Sequence, residues 1–320
     1  MKILVTGCAG FIGANFTRFL LENYPDDCVV GVDCLTYAAS DEALEELCAL
    51  GAERFAFYHA DITSEKAIDE IFRREAPDVV VNFAAESHVD RSICDAALFI
   101  STNVDGVRVL LDASVRHGVR RFHQVSTDEV YGDLPLDSVE KFTESSPLLP
   151  SSPYSASKAA ADLLTLAYAR THGLSVSISR SSNNYGRYQH REKLIPTVIF
   201  SALSGESVPI YGDGKNERDW LCVIDNCRAI DMIVRHGRAG EIYNVGTGVS
   251  VNNLTMARKI LSLLGKSNAL IEHVDDRKGH DVKYRIDCAK IQGELGWKPQ
   301  TEIDEGLSKT VKWYAERFES

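Results

Sequence analysis

The sequence predicts an α/β protein: a doubly wound parallel sheet carrying a smaller, mixed C-terminal substrate lobe. Three observations support this. Residues 1–181 alternate short apolar runs with longer stretches of helical period, the signature of βαβ units whose sheet is covered on both faces. Right-handed crossovers then wind the strands outward in both directions from a central switch point. Beyond Ser181 the rhythm breaks into loops, short strands and helices, too irregular to repeat the first part. The expected division is therefore a dinucleotide-binding domain over 1–181, to which later segments return, and a lobe over 182–320 that closes over its ligand.

The candidate strands are 2–6, 29–33, 54–59, 79–83, 121–125 and 175–179, with helices beginning near Ile12, Asp41, Ser64, Ala96 and Pro153. Ser152 reads as the cap of the last of these, with Pro153 at the first helical position. Further helices are expected over 193–203, 225–236, 253–264 and 304–316. The Pro- and Ser-rich stretch 145–152 reads as a loop beside the site, because catalytic-looking residues flank it.

Composition narrows the function classes. The chain of 320 residues carries 46 acidic against 35 basic side chains, a net charge of −11, which argues against a nucleic-acid surface. No apolar stretch approaches the roughly 20 residues of a membrane span, and the opening Met1-Lys2-Ile3-Leu4-Val5-Thr6-Gly7 reaches glycine too early for a signal peptide. A cytoplasmic location is expected, with no membrane partner. Eight scattered cysteines lack CxxC or Cys/His metal spacing, so no metal site is expected and the thiols read as reduced, mostly buried small hydrophobes.

The first strand runs into Gly7-Cys8-Ala9-Gly10-Phe11-Ile12-Gly13 and then a helical pattern. Glycines at a strand-to-helix turn let backbone N–H groups and the positive helix end approach a pyrophosphate. The spacing GxxGxxG is one residue wider at its first step than the usual dinucleotide fingerprint, and a bare glycine trio can also be a tight structural turn. Asp33, 20 residues beyond Gly13, can accept hydrogen bonds from adenosine ribose hydroxyls and would repel a 2′-phosphate, which favours NAD over NADP. By itself Asp33 could equally cap a helix. Strand, glycines, helix and carboxylate in this order point to a Rossmann-like NAD site, with Gly7, Gly10, Phe11, Ile12, Gly13 and Asp33 as candidate contacts.

Tyr154 and Lys158 are four apart on one helical face. A free phenol titrates near pH ~10, but a neighbouring ammonium and a cationic nicotinamide both favour phenolate, so Tyr154 could take a hydroxyl proton as hydride leaves the same carbon. The bland alternative is a surface Tyr/Lys pair. The strand over 121–125 leads into Ser126-Thr127-Asp128-Glu129, and carboxyl ends of strands in such a sheet face the ligand crevice. Ser126 and Thr127 can bond a substrate hydroxyl. Asp128 and Glu129 would repel if both were ionised, so a dry site holds one protonated, and an acid and a base beside a hydride centre point to elimination. A solvated acidic turn is the competing reading.

These segments, with Ala84-Ala85-Glu86-Ser87-His88-Val89-Asp90-Arg91-Ser92, Ser182-Asn183-Asn184-Tyr185-Gly186, Glu192-Lys193-Leu194-Ile195-Pro196, Arg218-Asp219-Trp220 and Gly279-His280-Asp281, make the chain resemble the extended short-chain dehydrogenase/reductase family nearly end to end. Within it the resemblance is closest to the dTDP-glucose 4,6-dehydratase group. The resemblance implies an intramolecular redox cycle. Tyr154, assisted by Lys158 and Thr127, takes the 4-hydroxyl proton while NAD accepts hydride from carbon 4. Glu129 removes the carbon-5 proton as Asp128 protonates the departing 6-hydroxyl, and the hydride returns to carbon 6.

It further implies that Asp61 and Ile62 border adenine, that Ala84 and Ala85 line the cofactor cleft, and that Ser87, His88, Thr127, Asn183, Lys193, Arg218, Asn253 and His280 face the nucleotide sugar. Five of these have a plainer alternative. Arg218 could be a surface ion pair among Asp213, Glu217 and Asp219, Lys193 a helix-end cation, Asn253 a helix cap, and His88 and His280 structural hydrogen-bonded histidines. A homodimer is implied through helices 96–117 and 154–171. The sequence departs from the family pattern at Cys8, Cys34, Arg187, Cys222, Lys278 and Val282, which leaves base identity and sugar substituents more open than the reaction. A UDP-sugar dehydratase, a 4-epimerase and a non-enzymatic NAD-binding regulator are the competing functions.

Overall fold

The computed structural model describes residues 1–276 and 279–318; Lys278 therefore lies outside the described residues. Among the described residues, seven strands form the central sheet: β1 (Lys2–Thr6), β2 (Cys28–Asp33), β3 (Phe55–His59), β4 (Val79–Asn82), β5 (Arg121–Thr127), β6 (Val176–Ser181) and β10 (Glu241–Val245). Their order is β10-β6-β5-β4-β1-β2-β3 and every pairing is parallel. The switch point lies between β1 and β4, where ligands bind in doubly wound sheets. The fold class is the one the sequence predicts.

The strand period of two explains the layers, because alternate side chains serve opposite faces. Ile3, Val5, Val29, Val79 and Val81 join one core with Phe16 and Leu20 of α1 (Phe11–Asn23), Leu47 of α2 (Asp41–Gly51) and Ile230 of α9 (Val223–His236). Leu4, Val30, Val32, Val80 and Phe122 join the opposite core with Phe72 of α3 (Glu65–Glu75) and Leu110 of α6 (Gly106–Arg116). Burial of each such side chain contributes roughly 1.5–3 kcal/mol. Phe72→Ala would leave a cavity and cost roughly 3–5 kcal/mol.

The helix expected to begin near Ala96 is interrupted. It is preceded by α4 (Val89–Cys94) and divided into α5 (Ala96–Ile100), a π-helical turn (Ser101–Asp105) and α6. The cause is Asn103 in the π turn. Its side chain accepts from Glu86 N at 2.9 Å and donates to Glu86 O at 3.0 Å and Ser157 Oγ at 2.8 Å, so the extra residue meets buried polar demand. Strand β5 also runs on to Thr127, because Ser126 and Thr127 continue the ladder opposite Arg180 and Ser181. The cysteines correct another expectation. All eight are free, but Cys8, Cys227 and Cys288 alone are buried, while Cys34, Cys48 and Cys94 are exposed on loop or helix surface.

Helix α7 (Pro153–His172) begins with a capping box between Ser152 and Ser155 and Pro153 in its first turn, and ends on left-handed Gly173. The second part holds a mixed sheet of β7 (Asn183–Tyr185), β9 (Glu217–Cys222) and β11 (Ser250–Asn252), and a parallel pair, β8 (Val208–Tyr211) with β12 (Ile271–Val274). Helices α8 (Leu194–Ser204), α10 (Asn253–Leu263) and α12 (Ile303–Phe318) close a third core on Ile195, Ile199, Met256, Ile260 and Leu307. A short α11 (Ala289–Leu295) follows β12. No helix among the described residues is long and apolar enough to cross a membrane.

Candidate active site

The turn after β1 needs glycine at two positions for measurable reasons. Gly7 has φ +67°, and a Cβ there would sit 2.7 Å from Ala84 N; a Cβ on Gly13 would sit 2.1 Å from Gly7 O. Helix α1 starts at Gly10 with no side-chain cap and no acid in its first turn, so its N–H groups and positive dipole end are free to face an anion. Asp33 does not cap a helix. Its Oδ2 accepts from Ala9 N at 2.9 Å and its Oδ1 from Leu35 N at 2.8 Å, tying β2 to the glycine turn while leaving further acceptor capacity.

A cleft of about 150 Å³ opens here, walled by Gly7, Gly10, Asp33, Asp61, Ile62, Ala84 and Ala85 among others. Phe11, Ile12 and Gly13 form the first turn of α1 and are not among the residues that line the cleft. The uncapped helix end, the glycine cradle and the carboxylate suit a dinucleotide: anion at one end, ribose acceptor at the other.

At the end of β5, Thr127 Oγ1 accepts from Glu129 N at 3.3 Å and starts the 3-10 turn Asp128–Tyr131. Asp128 is 2% exposed, and its Oδ2 has no hydrogen-bond partner among the described residues. Burial first, then Glu129 and Asp219, hold its carboxyl well above the usual carboxylate range, which favours the protonated form. The solvated-turn reading fails for it. Glu129 faces the neighbouring pocket.

Tyr154 is buried against Phe99, and its environment includes Thr127, Glu129 and Asp128. Burial, reinforced by Glu129, raises its phenol above the ordinary value, opposite to the lowering expected from Lys158. Lys158 is likewise buried, donates to Val125 O at 2.7 Å and is brought down to about 8 by burial. Neither residue is a surface group. The polypeptide alone does not generate phenolate at Tyr154.

A larger pocket of about 460 Å³ adjoins, walled by Ser87, His88, Glu129, Asn183, Lys193, Arg218, Asn253 and His280 together with Gln189, Glu192, Tyr211 and Trp220. Thr127, Tyr154 and Lys158 are buried and are not among its lining residues. Arg218 is 5% exposed, stacks over Tyr284 at 4.4 Å and donates to Glu217 O and Asp281 O at 2.8 Å, so it is no surface ion pair. Lys193 stands at the N-terminal end of α8, where a cation opposes the dipole, and donates to Ser87 O at 3.1 Å. Asn252 rather than Asn253 caps α10, accepting from Thr255 N at 2.7 Å. His88 caps α4 and meets Glu192 at 3.3 Å, while His280 bonds Asp276 at 2.6 Å.

Sequence reasoning missed two buried groups next to the candidate bases. Asp162 lies one helical turn beyond Lys158 and pairs with Arg180 at 2.9 Å, and Arg180 stacks over Tyr131. Extending the four-residue spacing from Tyr154 through Lys158 would have found Asp162; Arg180 left no local signal. No group of three or more His, Cys, Asp or Glu among the described residues is arranged to hold a metal ion.

Comparison with known proteins agrees with this geometry. The GDP-mannose 4,6 dehydratase family model matches residues 4–310. The chain is 49% identical over 314 residues to the low-salt glycan biosynthesis protein Agl12 of Haloferax volcanii, covering 98% of each chain. It is 48% identical over 334 residues to the dTDP-glucose 4,6-dehydratase of Haemophilus influenzae, again covering 98% of each. The crystal structure of DesIV, a dTDP-glucose 4,6-dehydratase from Streptomyces venezuelae with NAD and dTDP bound, superposes with TM-score 0.94 at 48% identity, over 99% of this chain and 97% of that one.

Proposed function

Because the chain belongs to the GDP-mannose 4,6 dehydratase family, we propose that it is an NAD-dependent nucleotide-hexose 4,6-dehydratase that converts dTDP-glucose to dTDP-4-keto-6-deoxyglucose. The observation that carries this reading is a sealed Asp128, its carboxyl pushed above the usual range by burial, beside a pocket-facing Glu129 and in the surroundings of Tyr154 and Thr127. An epimerase, which only removes and returns hydride at one carbon, has no use for that acid and base. A regulator would need none of the four.

Gly7, Gly10, Phe11, Ile12, Gly13, Asp33, Asp61, Ile62, Ala84 and Ala85 hold NAD, with Tyr154 and Lys158 at its nicotinamide end. NAD supplies a hydride acceptor, oxidising carbon 4, and the same hydride reduces carbon 6. Its positive ring also offsets the burial that raises the Tyr154 phenol, so Tyr154 takes the 4-hydroxyl proton only when the site is loaded. Thr127 orients that hydroxyl. Glu129 takes the carbon-5 proton, Asp128 gives its proton to the 6-hydroxyl, which leaves as water, and Glu129 returns its proton to carbon 5 as the hydride reaches carbon 6. Arg218, Lys193, Asn183, Asn253, His280, Ser87 and His88 bind the nucleotide sugar, the guanidinium and ammonium meeting the diphosphate.

The same reading divides the molecule into an NAD-binding domain over 1–181, rejoined by β10, and a substrate lobe over 182–320 in a cytoplasmic enzyme. Exposed Leu98, Ile100 and Leu163 on α5 and α7 support a homodimer, which light scattering would report as twice the 35.4 kDa chain mass. The decisive experiment is mass spectrometry after incubation with a panel of dTDP-, UDP- and GDP-hexoses. The expected result is loss of one water from dTDP-glucose with no NADH accumulating. Turnover of UDP-sugars alone would reject the dTDP assignment.

A further inference from the structure

A second cavity, of about 450 Å³, lies away from both spaces of the candidate active site, among Gly186–Arg187, the β9–α9 junction and α12. Two positions at which the sequence departs from its family pattern, Arg187 and Cys222, line it together, and neither has a part in the proposed reaction. The charges on its wall do not cancel. Lys309 pairs with Glu305 at 2.6 Å, and Arg228 pairs with buried Asp225. Arg187 has no carboxylate within ion-pair distance among the described residues. It gives Nε to Asn15 Oδ1 at 3.0 Å and lies 5.8 Å from the Tyr188 ring centre, which leaves the terminal nitrogens of its guanidinium uncommitted.

Two further groups lack partners there. Arg228 Nε is buried without a hydrogen-bond partner among the described residues, and so is the hydroxyl of fully buried Tyr185, which lies directly against wall residue Gly306. Helix α9 also begins at the cavity with Cys222 at its N-cap and no side-chain cap. Val223, Ile224 and Trp313 give the wall its apolar part, beside the polar Gln300, Thr301 and Thr310.

We propose that this cavity binds a small organic monoanion, its charged group on Arg187 and its apolar body against Val223, Ile224 and Trp313. One uncompensated guanidinium selects a single negative charge, and the apolar wall selects a body that free inorganic anions lack. Arg187 is joined through Asn15 to Phe11 O in the first turn of α1, so two hydrogen bonds link the guanidinium that holds the occupant to the glycine turn.

Cys222 reports occupancy. The enzyme is saturated with NAD and dTDP so that the active site cannot take the probe, then treated with an uncharged thiol-alkylating reagent, and modification at Cys222 is read by peptide mass spectrometry. Benzoate should slow alkylation of Cys222 at least about fivefold, saturably, with a dissociation constant on the order of millimolar, while Cys48 and Cys94 react unchanged. Benzamide and sodium chloride should not protect. Arg187→Gln should abolish protection by benzoate, and Cys222→Tyr, which fills the cavity, should abolish benzoate binding in calorimetry. Absence of saturable protection in the parent protein, equal protection by benzamide, or protection that survives Arg187→Gln would each overturn the proposal.

Discussion

Asp128 and Glu129 are neighbours in the chain but occupy different media. Asp128 is sealed, and burial pushes its carboxyl toward the protonated form; Glu129 borders the pocket. That division is the ground on which we propose the acid role for the first and the base role for the second, since catalytic carboxyls are sorted by environment. Asp128→Asn keeps the shape and removes the donated proton. It should lower turnover of dTDP-glucose by roughly 10²–10⁴-fold while leaving the first hydride transfer nearly intact. In a single turnover the variant should therefore accumulate absorbance at the wavelength of reduced nicotinamide. Equal slowing of both steps would remove the acid role. At this scale the sequence was partly readable: adjacency of two carboxyls forces unequal titration, but nothing in the order of letters says which one the 3-10 turn buries. Asp162 was readable from helical spacing and was overlooked; Arg180 comes from the neighbouring strand and could not be found without the register.

The six strands of the first 181 residues, set between turns and amphipathic helices, announced themselves, and their boundaries shift by no more than two residues. In the second part, β7, β8, β11 and β12 have only three or four residues, too few for a period to be counted without a buried apolar run such as that of β4, and six-residue β9 opens on Glu217-Arg218-Asp219, which hides its pattern. The return of β10 to the sheet depends on a pairing with β6 that is distant in sequence. One element-level consequence follows from strand pairing. His123 of β5 lies wholly buried between Ser177 and Ser179 of β6, at 2.9 and 3.0 Å. Burial lowers its pKa from 6.5 to about 3, so it stays neutral in the native state while the unfolded chain binds a proton below pH 6.5. Stability is therefore full above pH 6.5 and falls as pH drops toward 3, by about 2 kcal/mol between pH 7 and 5 from this group. Urea midpoints at those two pH values should differ by less in His123→Asn than in the parent. An unchanged difference would show that other groups set the acid limit.

The whole molecule must keep its cofactor through a cycle that ends with NAD restored, and the contacts between the two parts of the chain are arranged for retention. The segment 186–193 reaches across to the rim of the cofactor cleft. Glu192 meets His88 at 3.3 Å, Lys193 donates to Ser87 O, His190 packs edge-on to Tyr37, and Arg91 lies 3.6 Å from the centre of the Tyr37 ring. Tyr37 belongs to the loop after β2, next to the cleft residues Cys34, Thr36 and Ala38. Opening the cleft requires these contacts to break together, which is how closure over a site slows release. Glu192→Ala removes the carboxylate that holds His88 and should raise the rate of NAD loss by about 10-fold, the effect of roughly one charge-assisted hydrogen bond. The parent should retain NAD through repeated gel filtration and turn over without added cofactor. The variant should emerge depleted and regain activity when NAD is supplied. Because Glu192 also faces the substrate pocket, retention is measured without substrate, and Tyr37→Ala, which breaks the clasp from the other side, should give the same depletion. If both variants hold NAD as firmly as the parent, the segment only seals the substrate pocket, and retention resides in the glycine turn and Asp33.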